Sequence, residues 1–256
     1  MKYIKITSES LEKEHICCAI TSNSGCQVSS KKAWLKEQFK DGLVFLKADA
    51  RGKCFVEYIP AENAWVPIEA DGYMYINCLW VSGQFKGHGY SGELLNECIR
   101  DSREKGKIGI CTISSDKKRP FLSDPSYLAH KHFLVADIAE PYFTLVYLPF
   151  DDKATAPKFK THVKSPSSSG NGFELYYTHG CPFCTKYALL AEQAAKNAGV
   201  PFKSILINSR QEAQNAPAAW TNYALFFDGK FLTNEILSEK KICSLFEEVY
   251  NKGGLI

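Results

Sequence analysis

The segment Ser82-Gly83-Gln84-Phe85-Lys86-Gly87-His88-Gly89-Tyr90-Ser91 joins an apolar run to an amphipathic one, and this junction restricts the fold more than any other stretch of the chain. Upstream, Tyr73 to Val81 is rich in aromatic and aliphatic residues and reads as a strand. Downstream, from about Ser91 to Glu104, Leu94, Leu95, Cys98, Ile99 and Ser102 recur at helical spacing, and Gly106 follows as a stop signal. Gly87 and Gly89 carry no Cβ, so backbone N–H groups there can approach an anion closely. The positive end of the following helix faces the same place, so this strand, loop and helix together suit a phosphate group.

Two phosphate-bearing ligands compete for such a loop. Gly87, Gly89 and Gly92 satisfy the dinucleotide pattern GxGxxG, and Asp116 stands near the distance expected of a ribose-binding acid. A dinucleotide fingerprint follows its strand almost at once, however, whereas Ser82 to Lys86 intervene here. Several apparently antiparallel strands also precede the loop, which does not suit the start of a parallel sheet. The spacing therefore points away from a nicotinamide or flavin cofactor.

Around the junction, strands are predicted near residues 3–7, 43–48, 53–59, 107–113 and 142–148. Between Phe150 and Phe173 the apolar periodicity stops, and the chain runs through Pro157 and Pro166 into Ser167-Ser168-Ser169-Gly170-Asn171-Gly172. So polar a stretch predicts an unordered linker over 151–172, between a domain at 1–150 and another at 173–256. The second domain predicts strand (173–177), helix (182–198), strand (202–207), helix (210–215), a hairpin turning at Asp228-Gly229, and a last helix with Ile242, Leu245, Phe246 and Val249 on one face. Residues 8–40 show no motif.

With the elements in place, the loop resembles motif A of the GNAT acetyltransferases: Gln84, Gly87 and Gly89 fill its signature, and the order of elements over 1–150 is the family's. The resemblance implies an α/β (α+β) fold with a mixed, antiparallel-rich sheet, acetyl-CoA as the acyl donor, and a small-molecule or peptide amine as acceptor. It implies that the backbone of Leu79, Trp80 and Val81 pairs with the pantetheine arm, and that the amides of Phe85, Lys86, Gly87, His88, Gly89, Tyr90 and Ser91 hold the pyrophosphate. Acceptor deprotonation and thiolate protonation then need a base and an acid. Glu57, on a strand able to line the acceptor cleft, is the candidate base. Tyr127 is the tyrosine nearest the family's acid position, which Leu128 occupies here, and His130 lies a helical turn beyond. Cys78 and Cys111 read as buried fillers of their strands.

In the second domain, Gly180-Cys181-Pro182-Phe183-Cys184 falls between a strand and a helix, where unpaired amides favour a thiolate. Cys181 and Cys184 resemble the redox pair of glutaredoxins, and the domain is similar to the YoaP-like, thioredoxin-like domain at the C-terminus of some bacterial GNAT proteins. In that fold a cis-proline precedes the third strand, and Asn222-Tyr223 stands at that place here. A zinc site would need His179 and Cys243 to complete it, and no metal is expected. Two further readings carry over: a CoA-holding, thiol-responsive sensor without chemistry, and a thiol-disulfide oxidoreductase with an accessory N-terminal domain.

The net charge of +3 is spread along the chain, which argues against a nucleic-acid footprint. Ten scattered cysteines in a chain of 256 residues suit a reducing cytoplasm better than a disulfide scaffold. No apolar run approaches the ~20 residues that span a bilayer. Oligomeric state is not encoded in any motif.

Overall fold

The computed structural model describes residues 1–16, 18 and 25–251, with side chains up to residue 249. Chain order is β1 (Tyr3–Ile6), α1 (Cys26–Lys40), β2 (Val44–Ala48), β3 (Cys54–Pro60), β4 (Ile68–Glu69), β5 (Tyr73–Val81), α2 (Tyr90–Glu104), β6 (Gly109–Ser115), α3 (Pro125–His130), β7 (Leu134–Ala139) and β8 (Phe143–Pro149). Then come β9 (Lys158–Phe159), β10 (Phe173–Tyr177), α4 (Pro182–Ala198), β11 (Phe202–Leu206), α5 (Arg210–Gln214), β12 (Tyr223–Phe227), β13 (Lys230–Thr233) and α6 (Glu239–Phe246).

Seven strands form one sheet in the order β1-β2-β3-β5-β6-β8-β7. Its single parallel pair is β5 with β6, bridged by α2, so the expected mixed, antiparallel-rich sheet is what forms. Alternate side chains leave opposite faces of a strand. Val44, Val56, Met74 and Ile110 accordingly pack with Leu94, Leu95 and Cys98 of α2, while Phe45, Phe55, Tyr73, Tyr75 and Cys111 pack with Val28 and Leu35 of α1.

A second sheet has the order β11-β10-β12-β13, with β10 parallel to β11 and antiparallel to β12. The hairpin β12–β13 turns at Asp228 and Gly229, whose φ values of 45° and 78° both lie in the left-handed region that a tight hairpin turn requires. Ala219 and Trp220, just before β12, are buried in the same core as Phe45, Phe55 and Tyr75 of the first sheet. Polar contacts add to this seam: Thr221 Oγ1 donates to the Trp65 carbonyl (2.6 Å), and Tyr142 Oη donates to Asn234 Oδ1 (2.7 Å).

The unordered linker expected over 151–172 is not what the chain forms. β9 pairs antiparallel with β4, Phe159 and Val163 are buried in the first core, and Tyr73 Oη donates to the Thr155 carbonyl at 2.8 Å. The Glu140 N–H donates to the Lys164 carbonyl (2.8 Å), and the Ser168 N–H to that of Gly229 (3.0 Å). Composition misled because two apolar anchors and a few backbone pairings order a segment that is polar on average. Helix α3 ends at His130. His132 takes φ 64° and turns Phe133 into the core.

Candidate active site

The functional geometry begins with one extra residue in β5. Opposite β3, Glu57 faces Cys78 while Tyr58 faces Ile76, so Asn77 is a bulge. Because side-chain direction alternates, the insertion turns both Asn77 and Cys78 toward the α1 face of the sheet, and Trp80 with them. On the other edge, β5 pairs with β6 only from Tyr73 to Tyr75. Thr112 Oγ1 then takes the Ile76 carbonyl (2.9 Å). Beyond that point, the edge of Cys78–Val81 turned from β3 has no ladder partner among the described residues.

The loop after β5 ends where Gly89 caps α2. Gly83, Gly87 and Gly89 have φ of 64°, 80° and 80°, and a Cβ on any of them would meet nothing within 4 Å. Backbone conformation, then, and not crowding within the chain, asks for glycine at these places. Phe85 is the exception to the loop's exposure. It is buried against Gly52, whose Cβ would stand 2.4 Å from the ring, so Phe85 anchors the loop while Gln84, Lys86 and His88 stay exposed. The first α2 bond is Gly92 N–H to the Gly89 carbonyl (2.9 Å), which leaves the amides of Tyr90 and Ser91 in the unpaired first turn.

On the α1 side of the bulge lies a cavity of about 370 Å³, lined by both sheets' domains. Lys31 Nζ donates to Glu57 Oε2 at 2.7 Å with both side chains 3% exposed, and also to the Gly180 carbonyl at 2.7 Å. Asn77 Nδ2 holds the other oxygen, Glu57 Oε1, at 3.1 Å, and the Lys31 ammonium sits 4.2 Å from the centre of the Trp34 ring. All four tryptophans of the chain, Trp34, Trp65, Trp80 and Trp220, line this cavity.

Cys181 caps the N-terminus of α4 and faces the same space. Its thiol is drawn down to about 7, chiefly by a hydrogen bond from Cys184, with help from the amides of Phe183 and Cys184 and the charge of Lys31, while burial opposes the shift. Burial pushes the thiols of Cys184 and Cys18 well up, with the neighbouring Cys181 adding to both. Asn222, before β12, accepts from Thr178 Oγ1 at 2.6 Å and packs against Gly180, which steadies the turn into Cys181.

Among the residues singled out from sequence, Glu57, Leu79, Trp80, Cys181 and Cys184 meet at the cavity. Glu57 is a buried, ion-paired carboxylate there. Tyr127 does not line it: this half-buried side chain lies beside Ser91 at the start of α2, and burial raises its hydroxyl pKa. His130 is exposed at the end of α3 and is not brought to Glu57. Cys78 lines the cavity, whereas Cys111 is fully buried. Sequence reasoning missed Lys31, Asn77, Trp34, Trp65 and Trp220. No motif or spacing marked them in advance, because the four tryptophans meet only when the chain folds.

A seven-stranded mixed sheet whose parallel pair splays after a bulge, followed by a glycine loop and a helix, is the architecture of the GNAT acyltransferases. Compared with known proteins, the chain is 44% identical over 252 residues to the uncharacterized N-acetyltransferase YoaP of Bacillus subtilis (strain 168), covering 98% of this chain and 99% of that one. It belongs to the YoaP-type N-acetyltransferases of the GNAT family. The YoaP-like family model matches residues 201–243. Solved structures similar to part of the chain include PaiA N-acetyltransferase from Thermoplasma acidophilum in complex with coenzyme A (13% identity, TM-score 0.39, 59% of this chain and 100% of that one). The aminoglycoside 6'-N-acetyltransferase from Enterococcus faecium is another (10% identity, TM-score 0.42, 60% and 99%). No helix among the described residues is long and apolar enough to cross a membrane.

Proposed function

We propose that the protein moves the acetyl group of acetyl-CoA to the amine of a small molecule or peptide held in the cavity between its two domains, by direct attack in a ternary complex. The observation that carries this reading is the bulge at Asn77. It leaves Leu79–Val81 with an open edge for the pantetheine amides and turns Asn77, Cys78 and Trp80 to the cavity that Glu57 lines. The pyrophosphate is held by the amides from Phe85 to Ser91, with Gln84 opening the loop, at the positive end of α2.

In the reaction the acceptor ammonium gives one proton to Glu57. The freed nitrogen lone pair attacks the thioester carbonyl, the C–S bond breaks, and coenzyme A leaves as a thiolate. A second proton is shed by the attacking nitrogen, and one returns to the thiolate. Tyr127 is the proposed donor of that last proton on its resemblance to the family's acid position, and burial keeps its hydroxyl protonated at neutral pH. His130, exposed at the far end of α3, has no part in these steps.

We read the C-terminal unit as thioredoxin-like, which its element order and the sheet order β11-β10-β12-β13 support, and its task as closing the acceptor cavity. Cys181 and Cys184 then act as a thiol pair inside an acetyltransferase site, and their oxidation would alter the cavity wall. The nine described cysteines form no disulfide with one another, which suits a reducing, cytoplasmic setting. A disulfide oxidoreductase acting on other proteins is disfavoured, because Cys181 faces the first domain. Initial-rate measurements of coenzyme A release over varied acetyl-CoA and amine test the reading. Intersecting double-reciprocal lines are expected. Parallel lines would contradict direct attack, and tight CoA binding without release on a broad amine panel would favour a non-catalytic sensor.

A further inference from the structure

The composition of the cavity wall narrows the acceptor class. Among the described lining residues, Lys31 and Glu57 are the lysine, arginine, aspartate and glutamate side chains present, one of each sign, already joined at 2.7 Å. Around them stand Trp34, Trp65, Trp80, Trp220, Phe45, Phe55 and Phe183, so the remainder of the space is mainly aromatic. The desolvation of two buried ions offsets much of their mutual attraction, so a buried pair is weak evidence of a purely stabilising role.

A single-signed acceptor fits this wall badly. A polycation would meet one carboxylate already engaged by Lys31 and Asn77 and the single acidic thiol of Cys181, and it would face the Lys31 ammonium. A simple monocation meets the same repulsion. An anion with no amine offers nothing to acetylate. A molecule carrying both charges close together can exchange partners with the pair: its ammonium for that of Lys31 on Glu57, and its carboxylate for that of Glu57 on Lys31.

The volume of about 370 Å³ lies near the lower end of small-molecule sites.

We infer that the acceptor is a small zwitterionic amine, a free amino acid with an apolar or aromatic side chain. Its ammonium is received by Glu57, its carboxylate by Lys31, and its side chain by the aromatic wall. This rests on the acetyl-transfer reading above, but its recognition component can be measured without turnover.

With every tryptophan of the chain in one cavity, intrinsic fluorescence reports occupancy directly. The probes are L-phenylalanine, L-leucine, 2-phenylethylamine (ammonium only), 3-phenylpropionate (carboxylate only) and kanamycin (a polycation), each titrated into the full chain with coenzyme A present. The amino acids are expected to bind at least about tenfold more tightly than either single-charge analogue, because each analogue leaves one member of the buried pair facing an unmatched group. In Lys31→Met the preference for L-phenylalanine over 2-phenylethylamine should vanish, and in Lys31→Arg it should persist. If 2-phenylethylamine or kanamycin binds as tightly as the amino acids to the wild type, the inference is overturned; this comparison needs no variant to fold. Coenzyme A release is read in parallel with acetyl-CoA. Amino-acid binding without release would leave the recognition inference standing and count against acetyl transfer. Release with kanamycin or a peptide amine but not with amino acids would do the reverse.

Discussion

Lys31 of α1 and Glu57 of β3 meet at 2.7 Å beneath the C-terminal domain, and the same lysine nitrogen holds the Gly180 carbonyl one residue before Cys181. One ammonium thus ties the proposed base of the first domain to the thiol turn of the second. It also shapes the acceptor cavity, because the ring of Trp34 lies under it.

Removing one partner strands the other. Lys31→Met should lower unfolding stability by about 3 kcal/mol, since it leaves a buried carboxylate with only Asn77 as donor. The double variant Lys31→Met, Glu57→Leu should recover most of the loss. Urea denaturation of the two proteins checks this, and equal destabilisation of single and double variants would show that the pair is not uncompensated when broken.

The thiol of Cys181 should titrate low. As an acid held down to about 7, it persists as thiolate from alkaline pH to near neutrality and is protonated below that, so its alkylation rate should fall off around pH 7. Cys184→Ala removes the largest cause of the shift and should move the midpoint upward. Lys31→Met should move it upward by less. Iodoacetamide labelling of the Cys181 peptide, followed by mass spectrometry across pH, gives both profiles.

At the loop, Gly89→Val should raise the KM for acetyl-CoA by about tenfold or more, because a β-branched residue at φ 80° costs roughly 1–2 kcal/mol in the conformation that aims the first amides of α2. Gly106→Val is the control. It carries similar backbone strain at φ 68° at the other end of the helix, and KM for acetyl-CoA should not change.

The strap between the domains should bear on stability as a core element does. Phe159→Ala is expected to cost about 3–4 kcal/mol, where a residue in an unordered tether would change stability by less than ~0.5 kcal/mol. Thermal unfolding of the variant separates the two. A chain cut near Lys160 is a poor probe of the C-terminal domain for the same reason, since it would lose Val163 and uncover Trp220's neighbours in the first core.

What the sequence disclosed and what it hid have physical causes. The β5, loop and α2 unit was legible because Leu94, Leu95 and Cys98 keep helical spacing. The ends of α4 were legible because Pro182 starts it and Gly199, at φ 66°, stops it. Helix α1 was hidden: its buried face includes Lys31, Lys32 and Gln38, so polarity and burial disagree along it. Strand β7 was hidden by a register shift between Val135 and Asp137 that breaks the alternation, and by its place at the sheet edge, where Leu134, Val135 and Ile138 are exposed. Of the cavity, Glu57 and Cys181 could be named in advance as candidates on chemical grounds. Their juxtaposition through Lys31 could not, since it depends on docking a domain joined by a strap that composition alone makes look unordered.

The most direct test of a cavity shared by both domains is the steady-state kinetics of Trp220→Ala, a C-terminal substitution far along the chain from the CoA loop. KM for the acceptor amine should rise several-fold while KM for acetyl-CoA stays unchanged, because Trp220 lines the acceptor space and not the pyrophosphate loop. Unchanged constants for both substrates, in a variant that remains folded, would contradict the claim that the second domain forms part of the acetyltransferase site.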